Sequence, residues 1–261
     1  MLSFFLKVSR PGLWFPTIWL YILPLSGQHL WQSLPFFVGL VYITFPLNIM
    51  VYGWNDIADQ DIDQCNPRKD NYLFGAKGSN TDLARVPYIV LGAQLIFWPI
   101  LIYLSSWTML LILMGIVVFC WIYNAKSWGL RTHPPFELAC QAGYLLVLPL
   151  SCLLNNAPIP DTQVWIYLML FCIQSQLIGE VMDIKPNRNT GRRTIATELG
   201  KQNTKLVIIM LVLLEAFLVG YVIDHYDCVC SFVVCRGDGS ESLLACGIPD
   251  LQFSNFFIHL Q

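Results

Sequence analysis

The chain has 261 residues, of which 56% are hydrophobic, 14% aromatic and only 12% charged, with a mean hydropathy of +0.56. A water-soluble domain carries about 25% charged residues, so this composition excludes an ordinary soluble globule and points to a polytopic membrane protein. A formal net charge of −2 offers no basic footprint for nucleic acid, and the nine cysteines lack the paired spacing of a zinc site.

A membrane-crossing helix needs about 20 mostly apolar residues. Seven stretches qualify, at 11–27, 33–54, 86–104, 107–125, 136–154, 162–182 and 204–224. Pro11 opens the first of them, where proline is tolerated, and no small-residue cleavage site follows, so this segment reads as a retained helix. Lys7 and Arg10 precede helix 1; Arg68, Lys69, Lys77 and Arg85 lie between helices 2 and 3; Lys126 and Arg131 lie between 4 and 5; Lys185, Arg188, Arg192, Arg193, Lys201 and Lys205 lie between 6 and 7. The alternate connections carry no Lys or Arg. By the positive-inside rule the N-terminus and these three loops face the cytoplasm. The expected location is the bacterial inner membrane or an equivalent organelle membrane. The sequence specifies no oligomeric state.

Where the second stretch ends, the chain reads Asn55-Asp56-Ile57-Ala58-Asp59-Gln60-Asp61-Ile62-Asp63. On a continuous helix, Asp56, Asp59 and Asp63 share one face, with Asn55 one turn before Asp59. Carboxylates so placed repel one another unless a cation lies among them, and hard oxygen ligands suit Mg²⁺. Helix 6 closes on a second polar cluster. Asp56, Asp59, Asp63 and Arg68 have counterparts in Glu180, Asp183, Asn187 and Arg192, each 124 residues on. A shift of four helices preserves direction across the membrane, so both clusters are expected to face one shared central cavity in a parallel four-helix repeat. Acids at membrane depth are costly and default to a functional reading. Cations flanked by Arg68, Lys126, Arg131 and Arg192 imply a ligand with its own anionic oxygens, of which diphosphate is the natural candidate. Arg85, Lys201 and Lys205 read as topological.

The pattern Asn55-Asp56-x-x-Asp59-x-x-x-Asp63 resembles the NDxxDxxxD signature of the UbiA superfamily of intramembrane prenyltransferases. The run Asp183-Ile-Lys-Pro-Asn187, followed by Gly191-Arg192-Arg193-Thr194, resembles the second signature of that family. Arg10-Pro11, and Tyr123 with Lys126, look like further family features, and the likeness covers roughly residues 10–224. It implies an all-α membrane fold, usually of nine helices, that holds an isoprenyl diphosphate through Mg²⁺ and transfers the isoprenyl group to an aromatic or other lipophilic acceptor within the membrane lipid. Hydroxybenzoate, naphthoate, homogentisate, a tetrapyrrole and a glycerol phosphate lipid are all acceptors the superfamily admits, which would place the chain in quinone or other isoprenoid biosynthesis. The resemblance also implies roles. Asp59, Asp63 and Asp183 become the central catalytic carboxylates. Asn55, Asp56, Asp59, Asp63, Glu180, Asp183 and Asn187 form the metal set. Arg68, Lys126, Arg131 and Arg192 hold diphosphate.

Asn187 departs from the family's usual Asp and brings an oxygen but no charge. After residue 224 the apolar pattern breaks, so residues 1–224 read as the membrane domain and 225–261 as an atypical, truncated or rearranged tail. That loss motivates a second expectation, a shortened non-catalytic relative that binds an isoprenoid lipid or a protein partner. A cation-coupled transporter would also place acids at repeated helix ends, but the adjoining Arg and Lys argue for phosphate.

Overall fold

The computed structural model of the chain describes residues 2–26, 33–125 and 128–234, the side chains of 65 and 221–234 excepted. Of the tail set apart from the sequence, residues 235–261 lie outside the described part. Two compact units divide the chain, Met1–Gly220 and Tyr221–Gln261; the cavity and the helices that follow belong to the first, the last helix only up to Gly220.

Among the described residues every regular element is a helix. The order is α1 (Leu2–Ser9), α2 (Trp14–Ile22), α3 (Leu34–Ile43), α4 (Phe45–Ala58), α5 (Gln60–Cys65), α6 (Asn80–Leu83), α7 (Val86–Leu104), α8 (Thr108–Asn124), α9 (Phe136–Ala139), α10 (Ala142–Leu145), α11 (Val147–Asn155), α12 (Thr162–Asn189) and α13 (Ile195–Val234). Each of the seven expected stretches is mostly helical over its described residues. By length and apolar composition five helical stretches suffice to cross a membrane, Leu34–Ala58, Asn80–Leu104, Phe136–Asn155, Thr162–Asn189 and Ile195–Gly220, while Thr108–Asn124 is a shorter apolar helix. The first stretch is shorter still. Its α-helix stops at Ile22 and tightens into a 3₁₀ turn over Leu23–Leu25 that contains Pro24, since proline lacks the N–H that would continue the ladder.

Proline also divides the second stretch. Pro46 leaves carbonyls of the preceding turn without their usual donor, and α3 ends at Thr44 (φ −83°, ψ −107°). Side chains supply further donors around this break, as membrane helices require. Asn48 Nδ2 donates to Ile43 O and Thr44 O, each at 2.8 Å. Gln94 Nε2, from α7, donates to Pro46 O at 2.8 Å, and its Oε1 accepts from Tyr42 Oη (3.0 Å) and Trp98 Nε1 (2.8 Å).

Helices in lipid gain little from the hydrophobic effect, so they associate by close packing and buried hydrogen bonds. The main core joins Leu20, Tyr21, Tyr42, Leu101, Leu113, Leu148 and Leu150 from five helices. Tyr21 is its polar pin: Oη donates to Phe36 O (3.0 Å), and Ser151 Oγ donates to Tyr21 O (2.6 Å). Gln94→Leu removes the side-chain partner of Tyr42 Oη, Trp98 Nε1 and Pro46 O at once, so it is expected to cost about 2 kcal/mol. Thermal unfolding in detergent checks this, and an unchanged transition would mean the Pro46 break needs no support.

The fold departs from the sequence reading at one place that matters for the site. The acidic segment is not a single continuous helix. It yields at Asp59 (φ −104°, ψ 14°), although Asp59 N–H still reaches Asn55 O (2.8 Å) and Asp63 N–H reaches Asp59 O (2.9 Å). In the second half α12 runs unbroken through Asp183 to Asn189. Sequence spacing therefore repeats, while local backbone does not.

Candidate active site

A cavity of about 230 Å³ opens between the two halves of the first unit, and both polar clusters line it. Asn55, Asp59 and Asp63 come from the end of α4 and from α5, with Asn66, Arg68 and Lys69 following. Glu180, Asp183 and Asn187 come from the last turns of α12, with Arg192 beyond. Deeper in, the wall turns apolar, with Leu47, Val51, Ile116, Phe119 and Val147.

The arginines cross between the halves. Arg192 Nη1 meets Asp59 Oδ2 at 2.7 Å, and Arg131 closes on the other oxygen of the same carboxylate. Arg68 in turn pairs with Asp183, which also accepts from Asn66 Nδ2 at 2.8 Å. Asp59 and Asp183 are counterparts in the repeat, and so are Arg68 and Arg192. Each half thus lends its arginine to the other half's acid. The pairs differ in environment, Asp59 being 5% exposed and Asp183 33%.

Lys69 lies between Asp56 (2.8 Å) and Asp63 (2.7 Å), and Arg10 reaches Asp56 at 2.6 Å. The Arg10 guanidinium also stands 4.5 Å from the centre of the Tyr52 ring, a cation–π contact. Burial pushes the Asp63 carboxyl up to about 6, with Lys69 opposing that rise. Asp56 belongs to this inner cluster and does not line the cavity. Glu180 does line it, but its oxygens accept from Gln176 Nε2 (3.1 Å) and from the Ala196 N–H (3.2 Å).

The expected residues therefore divide. Asn55, Asp59, Asp63, Arg68, Glu180, Asp183, Asn187 and Arg192 meet at the cavity. Arg131 touches it only through Asp59, Asp56 faces away, and Lys126 lies outside the described residues. Three contributors were not assigned from sequence. Asn66 and Lys69 follow the first cluster directly, and their spacing could have marked them. Glu137 is a lone acid at the start of an apolar run, which membrane energetics alone flags; it is fully buried and takes the Ile195 N–H at 2.7 Å.

Among the described residues no three acids, cysteines or histidines converge closely enough to hold a metal ion by themselves. The donor set nonetheless suits Mg²⁺. Each rim presents carboxylate and amide oxygens, and Mg²⁺ is commonly held by one or two carboxylates, water and substrate phosphate together. The arginines that now neutralise those carboxylates are the groups a diphosphate would attract.

A family model described as the UbiA prenyltransferase family matches residues 13–235. A lycopene elongase/hydratase of Haloarcula japonica is 30% identical over 230 residues, covering 85% of this chain and 75% of its own length. One from Corynebacterium glutamicum is 29% identical over 220 residues, 81% of this chain and 74% of its own length. A solved UbiA homologue from Archaeoglobus fulgidus, bound to DMAPP and Mg²⁺, superposes with a TM-score of 0.67 at 16% identity, over 91% of this chain and 89% of that one. The same homologue with GPP and Mg²⁺ gives 0.66 at 15% identity, over 93% and 91%.

Proposed function

The chain belongs to the UbiA prenyltransferase family, and on that premise we propose that it transfers an isoprenyl group from a short isoprenyl diphosphate to a linear polyene held in the membrane. The observation that carries this reading is the exchange of arginines between halves, Arg192 onto Asp59 and Arg68 onto Asp183, at the mouth of an apolar chamber. The names of the relatives favour a polyene over the aromatic rings that the family also admits.

Arg68, Arg192 and Arg131 take the diphosphate, and their fixed positive charge offsets the charge that builds on its leaving oxygen. Asn55, Asp59 and Asp63 on one rim, with Asp183 and Asn187 on the other, are the residues that would hold Mg²⁺. Bound there, the ion supplies Lewis-acid neutralisation of the same oxygens. The allylic C–O bond breaks with its electron pair leaving on diphosphate. An acceptor double bond supplies the pair for the new C–C bond, and the charge left on the acceptor is discharged by loss of a proton or capture of water. Leu47, Val51, Ile116, Phe119 and Val147 keep bulk water from the allylic cation, and the faces of Tyr52 and Tyr144 beside them favour positive charge. By the asymmetry of Lys and Arg, we place this mouth on the cytoplasmic side.

The test is incubation of membranes holding the chain with labelled DMAPP, Mg²⁺ and a panel of acceptors that includes lycopene, aromatic acids and no acceptor. A polyene product heavier by one isoprenyl unit is the expected result. An aromatic product instead would overturn the acceptor assignment. Saturable diphosphate binding without any product would leave the chain a non-catalytic binder.

A further inference from the structure

We propose that Asp56 and Glu180, counterparts 124 residues apart, are positioning residues that hold the arginine-bearing segments over the cavity and are not metal ligands. The inference rests on the prenyl-transfer reading for what the arginines do, but not for how they are held.

Asp56 is 1% exposed, and one of its oxygens takes both Arg10 and Lys69. Lys69 directly follows Arg68, so Asp56 fixes the start of the segment that carries Arg68 to Asp183. Gly75 folds back over this cluster with φ +98°, and a Cβ there would stand 3.0 Å from Arg10 Nε, 3.2 Å from Lys69 Nζ and 3.3 Å from Asp56 Oδ2. The second Asp56 oxygen is enclosed beneath this turn, where a side chain at residue 75 would be strained, and among the described residues it accepts no hydrogen bond.

Glu180 does the equivalent in the second half by other means. One oxygen accepts from Gln176 and the other from the Ala196 N–H, while Glu137, from α9, accepts from the Ile195 N–H. Two carboxylates from different helices thus take unpaired amides of the short helical turn Ile195–Leu199, which ends where Gly200 (φ +79°) breaks the backbone. Arg192 is bracketed as a result. Its own N–H bonds Asn187 O at 2.9 Å on one side, and the α13 start is clamped on the other. In each half the first acid anchors its own arginine segment, and the second acid receives the arginine of the opposite half.

The test uses the full chain in lipid nanodiscs, with three readouts. The first is amide hydrogen exchange over residues 191–197 and 68–75. The second is Mn²⁺ affinity by electron paramagnetic resonance, with an unreactive isoprenyl thiodiphosphate present. The third is the donor KM set against kcat. Glu180→Ala and Glu137→Ala are expected to speed exchange at 195–196 by about tenfold and to raise donor KM by about as much, with kcat changed less. Mn²⁺ affinity should stay within about twofold of the parent. Glu180→Gln, whose amide oxygen still accepts an N–H, should recover most of the loss. Asp56→Asn should loosen 68–75 and raise donor KM in the same way. Asp183→Asn should instead weaken Mn²⁺. Parent-like exchange in Glu180→Ala, or a Mn²⁺ defect in Glu180→Gln as large as in Asp183→Asn, would overturn the proposal. If the parent chain binds no thiodiphosphate, the prenyl-transfer reading falls, and exchange alone still confirms or refutes the anchors.

Discussion

Asp59→Ala is expected to lower Mg²⁺-dependent prenyl transfer by about a thousandfold or more. The carboxylate is 5% exposed and lies at the break between α4 and α5. On the proposed mechanism it has two duties. It would supply a hard oxygen to the metal set, and it would hold Arg192 and Arg131 at the mouth until diphosphate arrives. Its loss also leaves two guanidinium groups without their anion, and breaking a buried pair in this way destabilises by about 3–5 kcal/mol. Turnover must therefore be expressed per folded protein, with Asp59→Asn as the companion variant because it keeps the volume and one oxygen. Asp183→Ala should show a similar loss of activity with less damage to folding, since Asp183 is a third exposed. Near-parent turnover in folded Asp59→Asn and Asp183→Ala would remove both residues from the metal set.

Arg192→Ala is expected to raise the donor KM about a hundredfold, the scale on which a buried charged partner of a phosphate counts. Arg192→Lys should recover only part of this, because an ammonium lacks the planar fork that matches two phosphate oxygens. Arg68→Ala should have a smaller effect, its side chain being 25% exposed against 11% for Arg192. The exchange of arginines gives a sharper check. In double-mutant cycles on stability, Asp59 should couple to Arg192, and Asp183 to Arg68, by about 0.5–3 kcal/mol, with near-additivity for Asp59 with Arg68. Coupling within a half and none between halves would show that the pairs across the cavity do not form.

The two acidic clusters were legible because their signal is local. A polytopic chain places few charges, so acids and amides at the ends of two apolar runs stand out. An identical offset at four positions then ties the runs together. The lopsided basic loops were legible for the same reason, and the structure gives them a second use: Arg10, Arg68, Lys69, Arg131 and Arg192 come from four separate connections and gather around the acids. Glu137 was not legible as part of the site, because its partner is a backbone amide 58 residues away, and no side-chain pattern encodes that.

From the sequence alone follow the membrane class, the seven helical stretches, the paired clusters and the resemblance to one family, all of which depend on composition and short-range spacing. Which acids serve the cavity is a tertiary matter. A helical wheel puts Asp56, Asp59 and Asp63 on one face, and Asp56 and Asp63 do share Lys69, but Asp56 is covered by Arg10 and Lys69 while Asp59 and Asp63 line the cavity. The repeat makes Asp56 and Glu180 equivalent to ligands in spacing. Only the folded chain shows one oxygen of Asp56 shared by an arginine and a lysine, and the two oxygens of Glu180 taken by a glutamine and by the Ala196 N–H. Spacing along a chain determines which residues can share a face. The donors brought up from elsewhere in the fold determine which of them remain free to bind a ligand.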